Sequence, residues 1–492
     1  MNGHQINKLR RALVAIEGSP NCTLAEVATA AHLSPFHFAR LFRDATGLTV
    51  NDYQRRRQLA RAVELMSSSE TTLLEVALGA GFSSHEAMTR AFRRAFGMLP
   101  STYRSERPAL RMQRRIEMPT QEETISAAEL TLREQGYPDA ELTTPGSSLS
   151  EHGWPTVIRT TATGIADHAS VIVKTYRSWS PYDPDSATGP STGFFAEWAA
   201  VEFLSALDGF PTFMAGDRER GVVIQSDLPN QGVLDISLEA AGAADQDQLL
   251  ENLAERMATM HGESIGRRSD YLAVRQRLGP TPHDVSTDEY LAQAREVLDL
   301  LTLELSRDDL TLIDTAENRW LDENAWWGLQ HLDPAQDNLL INDGDVSIVD
   351  FEGSVYGHIL RDVAFVDMAW GHTAATRAVT ENQAQRFETR YFQVLSDSFG
   401  LVDLVRDADE ELIWAKLALA LEVLGSMYQL SSTEKHAPWG GARVRAQMTT
   451  QWQRLAKITP LRTFATRVIE ALHRSWRDQG LSVAALPYYG KP

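Results

Sequence analysis

The stretch Leu329–Gly353, LQHLDPAQDNLLINDGDVSIVDFEG, sets His331 two residues before Asp333, Asn338 five residues after it, and Asp350 at the end of an apolar run. Carboxylate and amide oxygens in this order suit phosphoryl transfer. That chemistry needs a carboxylate near an accepting hydroxyl, oxygen donors for magnesium, and a cation on the nucleotide phosphates. Upstream, Lys174 in VIVKTY and Glu197 in FFAEWAAVEFLSAL offer a cation and a counter-charge. Taken singly, each has a plainer reading: a strand lysine is usually a solvated edge, a helix glutamate a surface charge, and Asp350 can simply end a strand. The set weighs more than its members, because Asp and Asn are poor strand formers and here flank buried hairpin strands.

These residues need elements to hold them. TVIRTTATG (156–164), ASVIVKTYR (169–177) and RGVVIQSDLP (220–229) show β-branched alternation and read as strands, the last stopped by Pro229. FFAEWAAVEFLSAL (194–207) reads as a helix, and from Leu249 the chain is mainly helical apart from the opening stretch. A small sheet carrying one helix, then a larger helical lobe with an embedded hairpin, gives an α+β two-lobed architecture with a cleft. Trp326, Trp327 and Trp439 fit a pocket wall, although packing in the core is the more common use of such residues.

With 492 residues the chain has room for roughly three domains. No apolar run of about 18 residues occurs, and MNGHQINKLRRALV lacks the pattern of a signal peptide, so a cytoplasmic protein without a membrane partner is expected. The single cysteine, Cys22, excludes an internal disulfide and a cysteine-built metal site. Net charge is −19, unevenly spread: residues 1–115 hold 17 Lys and Arg against 9 Asp and Glu, and the remainder holds 30 against 57. A basic head on an acidic body suggests that the head meets a polyanion.

The head contains a repeat. LAEVATAAHLSPFHFARLFRDATG (24–47) returns as LLEVALGAGFSSHEAMTRAFRRAFG (73–97), with Glu26-Val27-Ala28 echoed by Glu75-Val76-Ala77 and Arg40 by Arg90. Each copy reads as two helices joined by a turn, with Phe38, Leu41 and Phe42 buried in the first and Gly81 supplying the turn of the second. His85, Glu86, Thr89 and Arg90 are expected on the exposed face. Two such units held by the helix VNDYQRRRQLARAVELM can enter successive major-groove segments about 34 Å apart. A plain helical bundle is the competing reading. From Ser105 to about Ser150 the pattern loosens into a charged, then Pro/Gly/Ser-rich connector that holds at most one helix.

On LSPFHFARLFRDATGLTVNDY, RRRQLARAVELM and EVALGAGFSSHEAMTRAFRRAFGMLPSTYR, the head resembles the tandem helix-turn-helix domain of AraC/XylS-type regulators. The resemblance implies double-stranded promoter DNA as partner, with base-facing positions at Phe36 and Arg40 and at His85, Glu86, Thr89 and Arg90. On HLDPAQDN, IVDFEG and LRDVAFVD, residues 150–480 resemble the aminoglycoside phosphotransferase and choline kinase-like branch of the protein-kinase fold. That resemblance implies ATP (or GTP) and Mg2+, with Asp333 as catalytic base, Asn338 and Asp350 as metal ligands, and Lys174–Glu197 as the phosphate-holding pair. His331 and Asp362 would be supports, and the base would lie against Ser226, Asp227 and Leu228. Leu332 stands where the branch usually has glycine. A glycine-bearing turn is expected over the phosphates, and TTATGIADHAS offers Gly164 for it.

The expected organisation is a helix-turn-helix domain over 1–107, a linker over 108–149, an N-lobe over 150–230 and a helical C-lobe over 231–492. The expected function is a DNA-binding regulator whose body binds ATP/Mg and a small-molecule effector or substrate. The alternatives are a small-molecule kinase with an autoregulatory head and a ligand-sensing pseudokinase. Homodimerisation stays open.

Overall fold

The computed structural model divides into two compact units, residues 1–117 and 118–492. It describes residues 24–30, 33, 37–39, 42, 50, 54, 58–59, 62, 72–82, 84–96 and 100–101, and everything from 120 on except 150–155, 167, 177–183, 185–189, 280–285, 371–376, 434–439 and 490–492.

In the first unit, helices α1 (Leu24–Ala30), α2 (Leu73–Gly79) and α3 (His85–Phe96) are described. Thr72 caps α2: its hydroxyl accepts from Glu75 N–H, and Glu75 Oε2 accepts from Thr72 N–H at 2.7 Å, satisfying two donors that an open helix start leaves bare. Gly81, at φ +86, turns the chain from α2 toward α3, and Gln58 Nε2 pins the Gly81 carbonyl at 2.8 Å. Leu59, Val76, Ala77, Phe82, Met88 and Phe92 form one buried cluster. Phe38 and Phe42 are also buried, with ring centroids 5.5 Å apart.

In the second unit, the segment expected to be linker is structured from Thr120 on. Helix α4 (Gln121–Glu134) buries Ile125, Ala128 and Leu132, a one-face spacing, against Ile158, Val171, Val173 and Ile224 of a sheet. Strands β1 (Glu141–Leu142) and β2 (Ser147–Ser148) both pair with β3 (Thr156–Thr163). The Pro/Gly/Ser-rich composition therefore reflects tight turns between short edge strands, and the 108–149 linker is corrected to end before Thr120.

The remaining strands are β4 (Ser170–Thr175), β5 (Phe213–Asp217) and β6 (Val222–Ser226), all antiparallel, in the order β1-β3-β4-β6-β5. The central strand β4 is buried from Val171 to Thr175. Val171 and Val173 meet the α4 side, so Lys174, one residue on, faces the opposite side, where α5 (Pro190–Leu204) packs. Gly164, at φ +71, sits in the β3–β4 turn, where a Cβ would fall 1.8 Å from the Asp139 carbonyl oxygen. This close approach is what requires glycine at position 164.

The helical lobe begins with β7 (Gly232–Val233), α6 (Leu234–Ala240), α7 (Ala243–Ser264), α8 (Arg268–Leu278), α9 (Ser286–Leu300) and α10 (Arg307–Leu321). Then come β8 (Trp327–Gln330), β9 (Leu339–Asn342), β10 (Asp345–Ile348), β11 (Val355–His358) and α11 (Leu360–Asp367). It ends with α12 (Glu381–Phe399), α13 (Val402–Val405), α14 (Ala408–Ser431), α15 (Gly441–Leu455) and α16 (Arg462–Asp478). Strands β9 and β10 form a hairpin closed by Asp343 and Gly344, both at positive φ (49 and 89), as a two-residue Asp-Gly turn requires. Strand β7 joins β9, while β8 pairs with β11. Trp326 is buried with its ring 6.2 Å from Phe392, and Trp327 is half-buried under Arg268, so both serve packing; Trp439 falls outside the described residues.

Candidate functional site

Lys174 is the centre of charge. Its Nζ lies 2.7 Å from Glu197 Oε1 on α5 and 2.5 Å from Asp350 Oδ1 after β10. Burial opposes the ammonium, but the charges of Asp350 and Glu197 outweigh it and raise the lysine pKa. Burial pushes the Glu197 carboxyl upward against the pull of Lys174; for Asp350 the lysine wins over burial and holds the carboxyl below its ordinary value. Glu197 is fully buried, while the Asp350 side chain keeps 31% exposure, so the triad presents Asp350 as its open end. Asp350 adopts a left-handed backbone, φ 71 and ψ 66.

The loop between β8 and β9 carries the other sequence-derived residues. Asp362, at the start of α11, accepts from His331 N–H at 2.6 Å and from Leu332 N–H at 3.1 Å. Burial disfavours the Asp362 carboxylate, yet the bond to His261, 3.3 Å away, and the Arg361 charge keep its pKa low. His331 Nε2 donates to the Val349 carbonyl at 2.9 Å, which places its proton on that nitrogen, and burial keeps the ring neutral. Its ring packs 4.7 Å from Phe351, so His331 and Asp362 hold the loop against the β10 end.

Leu332 takes φ +68, the conformation that a glycine at this place adopts without strain. The peptide is held from both sides, by Asp362 on its N–H and by the buried Arg361 guanidinium on its carbonyl. Arg361 is in turn paired with Glu422 on α14, Nη2 to Oε1 at 2.6 Å and Nε to Oε2 at 3.1 Å. Leucine is thus forced into the turn by its neighbours.

Asp333 follows with a buried Oδ1 that has no hydrogen-bond partner among the described residues. Burial, then the nearby Asp337 charge, raise its pKa to about 6, poised for a proton acceptor near neutrality. Asn338 Nδ2 donates to the Asp333 carbonyl at 3.0 Å, leaving its amide oxygen as an acceptor. Glu352, two residues past Asp350, was not singled out from sequence; burial and the Asp350 charge raise it to about 8. Its place in the IVDFEG run was the available signal. Arg361 and Glu422 carried none, being 61 positions apart.

The expected base-binding segment is partly occupied. Ser226 N–H donates to Thr212 O at 2.9 Å and its hydroxyl accepts from Thr212 N–H at 2.8 Å. The Asp227 carboxylate is tied to Arg159 at 2.8 Å and Ser170 at 2.6 Å. These side chains are therefore committed to the sheet. Any contact with a base falls to the backbone of Asp227 and Leu228.

Among the described residues no cluster of three or more His, Cys, Asp or Glu side chains is arranged to hold a metal alone. One half-buried carboxylate, Asp350, with the amide oxygen of Asn338, is the sparse donor set that suits magnesium when phosphates and waters fill the rest of its shell. The residues fit that group.

In the first unit, His85, Glu86, Thr89 and Arg90 lie on α3. Arg90 is exposed, whereas His85 and Thr89 are half-buried and less open than their expected place on a free face. Packing of Met88 and Phe92 into the core sets that tilt. Phe36 and Arg40 lie outside the described residues.

Residues 27–106 match a family model described as a helix-turn-helix domain, and residues 196–397 one described as the phosphotransferase enzyme family. The right origin-binding protein of Escherichia coli strain K12 is 32% identical over 102 residues, 20% of this chain and 35% of that protein. The transposon Tn10 TetD protein of Escherichia coli is 38% identical over 81 residues, 16% of this chain and 59% of that protein. The chain thus spans only part of the curated relatives it matches. Among solved structures, a choline/ethanolamine kinase family protein from Mesorhizobium loti aligns with a TM-score of 0.39 and 16% identity over 71% of this chain and 99% of that one. An AraC-type transcriptional regulator from Chromobacterium violaceum aligns with a TM-score of 0.20 and 24% identity over 22% and 96%. The chain thus joins a helix-turn-helix domain, matched over 27–106, to a domain of the phosphotransferase enzyme family, matched over 196–397.

Proposed function

We propose that this protein is a sequence-specific regulator of transcription whose second unit binds ATP (or GTP) with Mg2+ and a hydroxyl-bearing small molecule. The observation that carries the reading is Lys174 held between Glu197 and Asp350, opposite a loop presenting Asp333 and Asn338. Asn338 and Asp350 would hold the metal, which supplies neutralisation of phosphate charge when bound. Lys174 orients the phosphates, fixed in its rotamer by Glu197. Asp333 accepts the proton of the attacking hydroxyl, and the Asp227–Leu228 backbone meets the base.

In the first unit Phe36, Arg40, His85, Glu86, Thr89 and Arg90 would face promoter DNA, with Arg90 the exposed cation among those described. No helix among the described residues is long and apolar enough to cross a membrane, in keeping with work beside cytoplasmic DNA.

A second reading, a small-molecule kinase whose head regulates its own expression, is favoured by one observation. The unpartnered, buried Asp333 oxygen with its raised pKa is more than a sensor requires.

One experiment separates them. ATP consumption is followed with a panel of hydroxyl acceptors, and affinity for a promoter fragment is followed with and without ATP, magnesium and acceptor. A sensor-regulator changes its DNA affinity on ligand binding, as coupling requires. Turnover lost in Asp333→Ala with unchanged DNA affinity selects the kinase. Absence of turnover, of a nucleotide-induced thermal shift and of salt-dependent DNA binding removes both.

A further inference from the structure

Beyond α16 the chain returns across the helical lobe and is anchored at several points. Leu486 N–H donates to Thr450 Oγ1 at 2.9 Å, and Ala378 N–H donates to the Pro487 carbonyl at 2.8 Å. Tyr489 N–H donates to the Ala378 carbonyl at 3.0 Å, and Gln246 Nε2 reaches the Tyr489 carbonyl at 3.3 Å. The Tyr489 ring delivered by these anchors is half-buried, and its hydroxyl stands between two polar groups. It donates to Asp235 Oδ1 on α6 and accepts from Gln336 Nε2. Burial, and then the bond to Asp235, raise the Tyr489 pKa, so the group stays a neutral phenol.

Gln336 is 6% exposed and lies between Asp333 and Asn338. The flanks of that loop are held by the phosphotransfer motifs themselves: Asp362 and Arg361 grip 331–332, and Val349 N–H donates to the Asn338 carbonyl at 3.0 Å. Within the loop Asn338 Nδ2 holds the Asp333 carbonyl at 3.0 Å, and the middle is tied outward. Its side-chain tether runs through Gln336 to Tyr489.

We propose that Tyr489 is a positioning residue for phosphotransfer, holding Gln336 with the help of Asp235 and so fixing the spacing of Asp333 and Asn338. The inference rests on the function proposed above. Misplacing a reacting group by about 1 Å can cost on the order of 100-fold in rate, and one lost tether should allow only part of that. Loss of the hydroxyl also leaves the Gln336 amide and the Asp235 carboxylate without this partner.

The test uses the full chain as Tyr489→Phe, Gln336→Leu and the double variant, measuring kcat, the KM for ATP, and hydrogen exchange of the peptide spanning 331–342. Each single change should lower kcat about ten-fold and leave KM for ATP unaltered, because the Lys174 triad is untouched. The double variant should be no worse than Gln336→Leu alone, since both changes cut one tether. Exchange in 334–338 should rise in Tyr489→Phe while the Lys174 strand stays protected.

Additive losses, an unchanged kcat, or a matching rise in KM would overturn the assignment. If the wild-type chain turns over no acceptor, the kinase reading falls separately. Exchange then decides whether Tyr489 holds the loop: a faster 334–338 segment supports the hold, and an unchanged one refutes it.

Discussion

Replacing Asp333 by Asn should stabilise the protein at neutral pH while impairing the proposed phosphotransfer. Folding raises the Asp333 pKa from 3.8 to about 6. The fold thus favours the protonated acid, and that contribution is fully present below pH 3.8 and is lost as pH climbs through about 6. Roughly two pKa units at 1.36 kcal/mol each amount to about 3 kcal/mol of destabilisation from the ionised carboxylate above pH 7, an upper figure because the group borders the cleft. An amide of the same shape does not ionise and escapes that cost.

The advantage of Asp333→Asn should therefore be near its maximum at pH 8, shrink to about half at pH 5, and vanish in more acid solution. Urea titration followed by tryptophan fluorescence reads the second unit alone, since all 11 tryptophans lie at Trp154 or later. Turnover should fall by a factor on the order of 100 or more, the usual share of a general base. A stability gap that is independent of pH, or a variant less stable than wild type at pH 8, would refute the account of Asp333 as a desolvated, unpartnered carboxylate.

Lys174→Met strands the fully buried Glu197 without its cation and should cost about 3–5 kcal/mol in urea unfolding. Lys174→Met with Glu197→Leu should recover most of that stability but no nucleotide-induced thermal shift; recovery of the shift would count against a phosphate-holding lysine. Leu332→Gly relieves a left-handed leucine, worth about 1 kcal/mol, and adds a similar entropy to the unfolded chain. Stability should change by less than about 1 kcal/mol and kcat by no more than a few-fold, because Asp362 and Arg361 shape the turn. A ten-fold or greater fall in kcat would show that the side chain itself sets the loop.

The parts of this fold that sequence discloses are those where one interaction leaves a regular trace. Alternation marks β3, β4 and β6, Asp343-Gly344 marks the hairpin, and short spacing along the chain marks His331, Asp333, Asn338 and Asp350. Lys174 and Glu197 were legible as a strand cation and a helix anion, and the structure pairs them and brings Asp350 to the same ammonium. Strand β5, Phe-Met-Ala-Gly-Asp, lacks β-branched residues and passes unnoticed; pairing with β6 supplies its conformation. Local composition misleads at 120–149, where turn residues serve the sheet edge rather than a linker. Asp227 shows a similar limit: its position is visible, but its engagement by Arg159 and Ser170 depends on strand pairing. Tyr489 and Gln336 lie 153 positions apart, and nothing in either neighbourhood announces the other.

The Arg361–Glu422 pair gives α14 a mechanical part. Its 24 residues make a rod about 36 Å long, and Glu422 grips the rod well inside both ends. The Leu332 carbonyl hangs from that grip through one guanidinium. The position of that rod and the position of the peptide beside Asp333 are therefore joined through a single buried side chain, so the helix acts as a strut for the loop.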